Sequence, residues 1–162
     1  MATFASRFEL SRNSVNNSAR AAVATLFSLL LARTLLRLPE FYWAPISTIV
    51  IILSPIDRFA LAWQRFVGTA VGVTLGAAIA TFLPNNWIIY GAGIFVCGIL
   101  SALLRLGNAY RFVAIGFTIV LLITHGRPPW IVAVHRFVEV SLGIAVALAV
   151  ASVWKLPGDL KA

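Results

Sequence analysis

Apolar residues run along this chain in long blocks, and the polar punctuation between the blocks is sparse. A helix that crosses a bilayer takes about 20 mainly apolar residues, and the blocks predict about six such helices. The first covers about Ala19 to Leu38 and stops at Pro39, and the second covers about Phe41 to Ser54 and stops at Pro55. Proline ends a helix because it has no N–H to donate and its ring clashes with the preceding turn. The third runs from about Leu61 to Leu83, closed by Pro84-Asn85-Asn86, and the fourth from about Trp87 to Leu106, closed by Gly107-Asn108. The fifth covers about Tyr110 to Thr124, followed by His125-Gly126-Arg127-Pro128-Pro129, and the sixth about Trp130 to Trp154. The pattern is that of an all-α, polytopic membrane helical bundle. It divides into a polar N-terminal segment over 1–18, a transmembrane domain over 19–155 and a short tail over 156–162. Arg7 and Arg12 with Phe4 and Phe8 suggest that the first segment lies on the membrane surface. The apolar run from Ala21 to Ala32 behind a basic leader has the outline of a secretory signal, but apolarity resumes past Arg33 and no small-residue cleavage site is clear.

Composition narrows this further. Of 162 residues, 60% are apolar and 11% charged, against about a quarter charged in a soluble globular domain. The lipid bilayer is therefore the first partner expected. The net charge of +8 raises nucleic acid as a partner, but the arginines are spread singly between apolar runs, without a clustered basic face, and no nucleic acid is expected. They read as topology signals instead, because basic loops stay on the cytoplasmic side. With the N-terminus inside, Arg7, Arg12, Arg20, Arg58, Arg65, Arg105, Arg111, Lys155 and Lys161 face inward and Arg33, Arg37, Arg127 and Arg136 outward, nine against four. That ratio predicts a multi-pass inner-membrane protein with both termini in the cytoplasm.

The chain also repeats. Gln64-Arg65-Phe66-Val67 and His135-Arg136-Phe137-Val138 match at an offset of 71, which also aligns Gly72 with Gly143 and Ala80 with Ala151. Thr48-Ile49-Val50 and Thr118-Ile119-Val120 match at an offset of 70, and Arg33 and Arg105 end similar Leu-rich stretches at an offset of 72. Three helices recur in order. An odd number of helices per unit inserts the second copy upside down, so the expected plan is a 3+3 inverted repeat with its site near mid-membrane at the repeat interface.

Several residues stand out for chemistry. Gly68, Gly72 and Gly76 in the third helix, matched by Gly143 in the sixth, place a small residue at every fourth position, which lets a neighbouring backbone approach. The same stripe puts Glu139 on the packed face. An acid at membrane depth costs about 3 kcal/mol or more unless paired, and Arg136 and His135, three and four residues back, share its face. Glu139 then either forms a structural ion pair with Arg136, takes part in proton coupling or gating, or sits shallow and snorkels. Arg65 and Arg136 lie inside their helices, on opposite sides of the membrane if the repeat is inverted, and would mark two ends of an anion path. Arg33 either joins that path or reaches the outer headgroups with Arg37. The second and fifth helices are short and carry Pro45 and Gly116, and interrupted helices at matching places point to a transport site. Tyr42, Trp43, Ser47, Thr48 and Thr118 would supply aromatic faces and hydroxyls there, with the interfacial aromatic belt as the other reading of Tyr42 and Trp43. Cys97 is alone, and no hydrolase, kinase or metal motif appears, so neither enzyme activity nor a cofactor nor a metal is expected.

Tyr42-Trp43-Ala44-Pro45 opening a short helix, then Gln64-Arg65-Phe66-Val67-Gly68-Thr69 with Gly72 and Gly76, resembles the membrane domain of the fusaric acid resistance protein-like (FUSC) family, and Arg136-Phe137-Val138-Glu139 with Gly143 looks like that family's closing helix. The resemblance covers about Ala19 to Trp154, without the soluble domain or second membrane half of larger members. It implies a bundle that exports or conducts small organic anions such as aromatic carboxylates, as a homodimer standing in for the two halves. Export would leave room for a periplasmic adaptor as partner. The alternative is a non-transporting membrane subunit that assembles with or regulates a partner.

Overall fold

The computed structural model describes residues 12–37, 40–54, 57–106, 109–123 and 126–155. The expected surface segment before Arg12, the stops at Pro39 and Pro55, the Gly107-Asn108 turn, His125 and the tail from 156 lie outside them. Among the described residues the chain is six helices: α1 (Arg12–Leu30), α2 (Trp43–Ile52), α3 (Arg58–Phe82), α4 (Trp87–Leu103), α5 (Tyr110–Ile123) and α6 (Pro129–Val153). Local signals account for their starts. The Asp57 carboxylate accepts from Phe59 N–H at 2.9 Å and the Asn86 side chain from Ile89 N–H at 2.9 Å, each satisfying one of the donors a helix start leaves over. Pro129 opens α6, where its missing N–H costs nothing.

The helices from α2 to α6 keep near their expected bounds, and not all of them reach full spanning length. At 25 residues each, α3 and α6 are about 37 Å long, and they join Ser14–Thr34 as the three helical stretches long and apolar enough to cross a membrane. The 17 residues of α4 reach only the lower limit, about 25 Å. The 10 residues of α2 and 14 of α5 give about 15 and 21 Å, short of a hydrocarbon core of about 30 Å. The shortfall in α2 arises at its start, where Phe41 and Tyr42 form a turn closed by Trp43 N–H donating to Glu40 O at 3.2 Å. At the other extreme α1 begins at Arg12, inside the polar segment, because Arg20 is buried there, donating to Asn17 Oδ1 at 2.9 Å and to the α6 carbonyl end at Trp154 O at 3.1 Å. Beyond Leu30 the helix continues as a π-helical turn over Leu31–Leu35.

The long helices α3 and α6 pack at the centre, α5 lies on α3, α2 lies on α6, and α1 and α4 pack outside on α2 and α5. α3 and α6 run antiparallel: Leu61 and Ala62 cluster with Ile144 and Ala147, while Ala77 clusters with Val132 and Ala133. Phe66 and Phe137, aligned by the 71-residue offset, meet between them with ring centroids 5.0 Å apart. The small-residue stripes lie against neighbouring backbone. A Cβ on Gly72 would run into the Val113 carbonyl oxygen of α5, and one on Gly143 into the Ala44 carbonyl oxygen of α2. Gly68 and Gly76 face α5 in the same way, at Ala109 O and Phe117 O. Large apolar side chains such as Leu26, Trp63, Phe95 and Leu103 point outward, which suits lipid.

Arg37 and Arg105 both adopt positive φ, 47° and 51°, and both stand in Leu-Leu-Arg-Leu, over 35–38 and 103–106.

Candidate anion site

α6 builds the first half of the site. Arg136 and Glu139, three residues apart, share its buried face, and their side chains meet at 3.5 Å. A second carboxylate comes from just before α2, where Glu40 lies 3.1 Å from the same guanidinium. The Trp43 ring at the first position of α2 covers it, with the guanidinium carbon 3.5 Å from the ring centroid; cation–π attraction of this kind is worth about 2 kcal/mol when desolvated. Glu139 is 0% and Arg136 2% exposed, and Glu40 is 19% exposed. Two acids thus hold one buried arginine.

α3 builds the other half differently. Arg65 is 8% exposed, donates through Nη2 to Ser47 Oγ at 3.2 Å, and lies 5.1 Å from the centroid of the Phe112 ring of α5. The arginine–aromatic pair repeats the arrangement of Arg136 over Trp43, yet no carboxylate lies within ion-pair distance of Arg65 among the described residues, and its Nε has no acceptor there. The sequence gives the reason: the 71-residue offset that aligns Arg65 with Arg136 puts Gly68 opposite Glu139. A second cation, Arg111, lies 4.8 Å from the same Phe112 ring.

Both arginines line one small cavity of about 30 Å³, together with Trp43, Thr69 and Gly116. That is room for a water or two, in walls that are otherwise apolar. Antiparallel α3 and α6 bring Arg65 and Arg136 to opposite walls of the same space. Chemically, Arg136 is already neutralised, whereas Arg65 retains a fork of donors suited to a carboxylate.

The other expected residues are placed as follows. Trp43 lines the cavity and Ser47 holds Arg65. The Thr48 hydroxyl bridges Ala44 O at 3.1 Å and Gly143 O at 3.0 Å, tying α2 to α6. Thr118 lies 3.2 Å from Tyr90 Oη and donates to Ala114 O at 2.8 Å, on the α4 side of α5. Tyr42 is exposed, and Arg33 is exposed with its guanidinium 5.6 Å from the Phe41 ring centroid. His135 is not among the cavity-lining residues and lies beside Trp130 and Ile131. Three partners escaped the sequence reading: Glu40, Phe112 and Arg111. Glu40 had a usable signal, being one of only five acids and standing just ahead of a short helix; the other two had none beyond their place at the start of the fifth.

Antiparallel apolar helices around buried arginines define a polytopic helical membrane protein. A family model described as fusaric acid resistance protein-like matches residues 21–150, and this chain belongs to that family. Membership implies membrane transport or efflux. No curated protein and no solved structure matches the chain.

Proposed function

We propose that this protein is a transporter or channel subunit for small organic carboxylate anions, with Arg65 and Arg136 as the attracting groups along the path. The observation that carries the reading is that these two buried arginines, from antiparallel helices, line a single cavity. Charged groups at membrane depth are costly and mark ion or substrate pathways. Membership of a transport family and two short helices flanking the cavity support the same reading. The plan behind it is an inverted 3+3 repeat. Its support is the pairing of α3 with α5 and of α6 with α2, the meeting of Phe66 with Phe137, and the matched hydroxyl bonds of Thr48 to Ala44 O and Thr118 to Ala114 O. The setting is the inner membrane with both termini cytoplasmic, as a homodimer, aromatic carboxylates being the cargo the family suggests and a periplasmic adaptor a partner on the export route. A non-transporting subunit is the second reading, favoured by the small size of the cavity, about 30 Å³. Uptake by liposomes holding the purified chain, across a panel of monocarboxylates, separates them: transport above empty liposomes is expected, and flux equal to empty liposomes for the whole panel selects the subunit.

A further inference from the structure

A cleft of about 560 Å³ opens between the C-terminal half of α2 and the first turns of α5, floored by α3. Its walls are of two kinds. Ile49, Leu53 and Ile115 belong to the outward, lipid-facing surface, while Arg65 and Arg111 supply positive charge with the Phe112 ring between them. Arg65, Phe112 and Ile115 also line the small cavity, so the cleft and the cavity share a wall at Arg65.

Arg65 is more than nine-tenths buried, its Nε lacks an acceptor, and no acid pairs with it among the described residues. The other half of the molecule supplies two carboxylates and an indole to the corresponding arginine. A buried cation with no counter-charge at membrane depth is unfavourable, and no described residue supplies the negative charge that would offset it. The volume lies within the range of small-molecule sites and exceeds what a bare inorganic anion fills. The apolar rim excludes polyanions, whose further charges would be desolvated against isoleucine and leucine.

We propose that this cleft binds an amphipathic monoanion entering sideways from the bilayer, its one carboxylate or phosphate on Arg65 and Arg111 and its apolar body between α2 and α5 against Phe112 and Ile115. This rests on the anion-path reading and deepens it by naming the kind of cargo and its side of entry. A free lipophilic carboxylate and the phosphate of an anionic lipid share the chemistry.

The test uses the full chain in phosphatidylcholine nanodiscs, with octanoate and acetate as probes in a calorimetric titration. Octanoate is expected to bind at least about tenfold tighter than acetate, because its extra methylenes are buried in the cleft. Arg65→Gln and, separately, the exposed Arg111→Gln should each weaken octanoate by about tenfold, the loss of a charge-assisted bond. Partitioning into the bilayer is common to all variants, and for each probe it is subtracted with a titration of empty nanodiscs. Arg111→Gln, at an exposed position, keeps the test independent of any folding defect in Arg65→Gln. Adding phosphatidylglycerol to the nanodisc then names the source: competition with octanoate assigns the site to lipid phosphate, and its absence to free carboxylates, either one upholding the site. Equal affinities for octanoate and acetate, both lost in Arg65→Gln, overturn the apolar cleft and leave the anion path standing. Binding of both probes unchanged in both variants overturns the cleft and the path together.

Discussion

At the scale of single residues, the molecule treats its two central arginines unequally. Arg136 is enclosed by Glu139, Glu40 and Trp43, whereas Arg65 has a hydroxyl and a ring. Removing one member of a buried pair costs about 3–5 kcal/mol, because the partner is left charged and unpaired. Arg136→Gln should therefore lower folded yield sharply, measured by size-exclusion chromatography in detergent. Adding Glu139→Gln should restore the yield, since the remaining carboxylate, Glu40, is partly exposed and can be solvated. A double variant that stays as poorly folded as the single one contradicts the pairing. The Arg136–Glu139 pair was legible in the sequence because a spacing of three residues on a helix is a local fact. Glu40 was not, since 96 residues separate it from Arg136 and only the packing of α2 on α6 brings them together. The placement of Thr48 and Thr118 was hidden for a similar reason: a hydroxyl beside a helical carbonyl satisfies itself locally, and composition does not tell that from a ligand contact.

At the scale of elements, the number and order of helices and most of their bounds were legible from apolar blocks and their punctuation, while the start of α1 and the short length of α2 were not. Phe41 and Tyr42 are apolar enough to extend α2 but form a turn instead. Polar Arg12 to Ser18 extend α1 because Asn17 and Arg20 find partners, Arg20 at the end of α6. The glycine stripes were legible in spacing, and their partners, α5 and α2, came with the fold. Gly93 was missed as a packing position: a Cβ there would strike the tip of the Phe117 ring. Gly72→Leu meets main chain at Val113, which cannot move without displacing α5, whereas Gly93→Leu meets the end of a side chain. Overpacking costs about 1–3 kcal/mol where side chains adjust and more where the backbone must shift. Thermal unfolding in detergent should therefore show both variants destabilised, Gly72→Leu the more so. Equal losses contradict the distinction between backbone and ring.

At the scale of the whole molecule, a central antiparallel pair with short helices on either flank places charged groups at membrane depth while apolar side chains cover the outside. The basic count predicts that reporter fusions after Leu38, Leu83 and Gly126 all lie on the outer side of the membrane, and an inside signal at Leu83 contradicts the inverted plan. The central claim is that anions pass by Arg65 and Arg136. Carboxylate flux into liposomes tests it most directly, comparing wild type with Arg65→Gln and with the Arg136→Gln/Glu139→Gln double variant at matched protein content. Arg65 pairs with no acid among the described residues, so its variant should reconstitute normally and lose flux about tenfold or more, the scale of one charge-assisted contact; the double variant should fold and also lose flux. Wild-type flux in both would contradict the account and leave the two arginines as anchors of the fold.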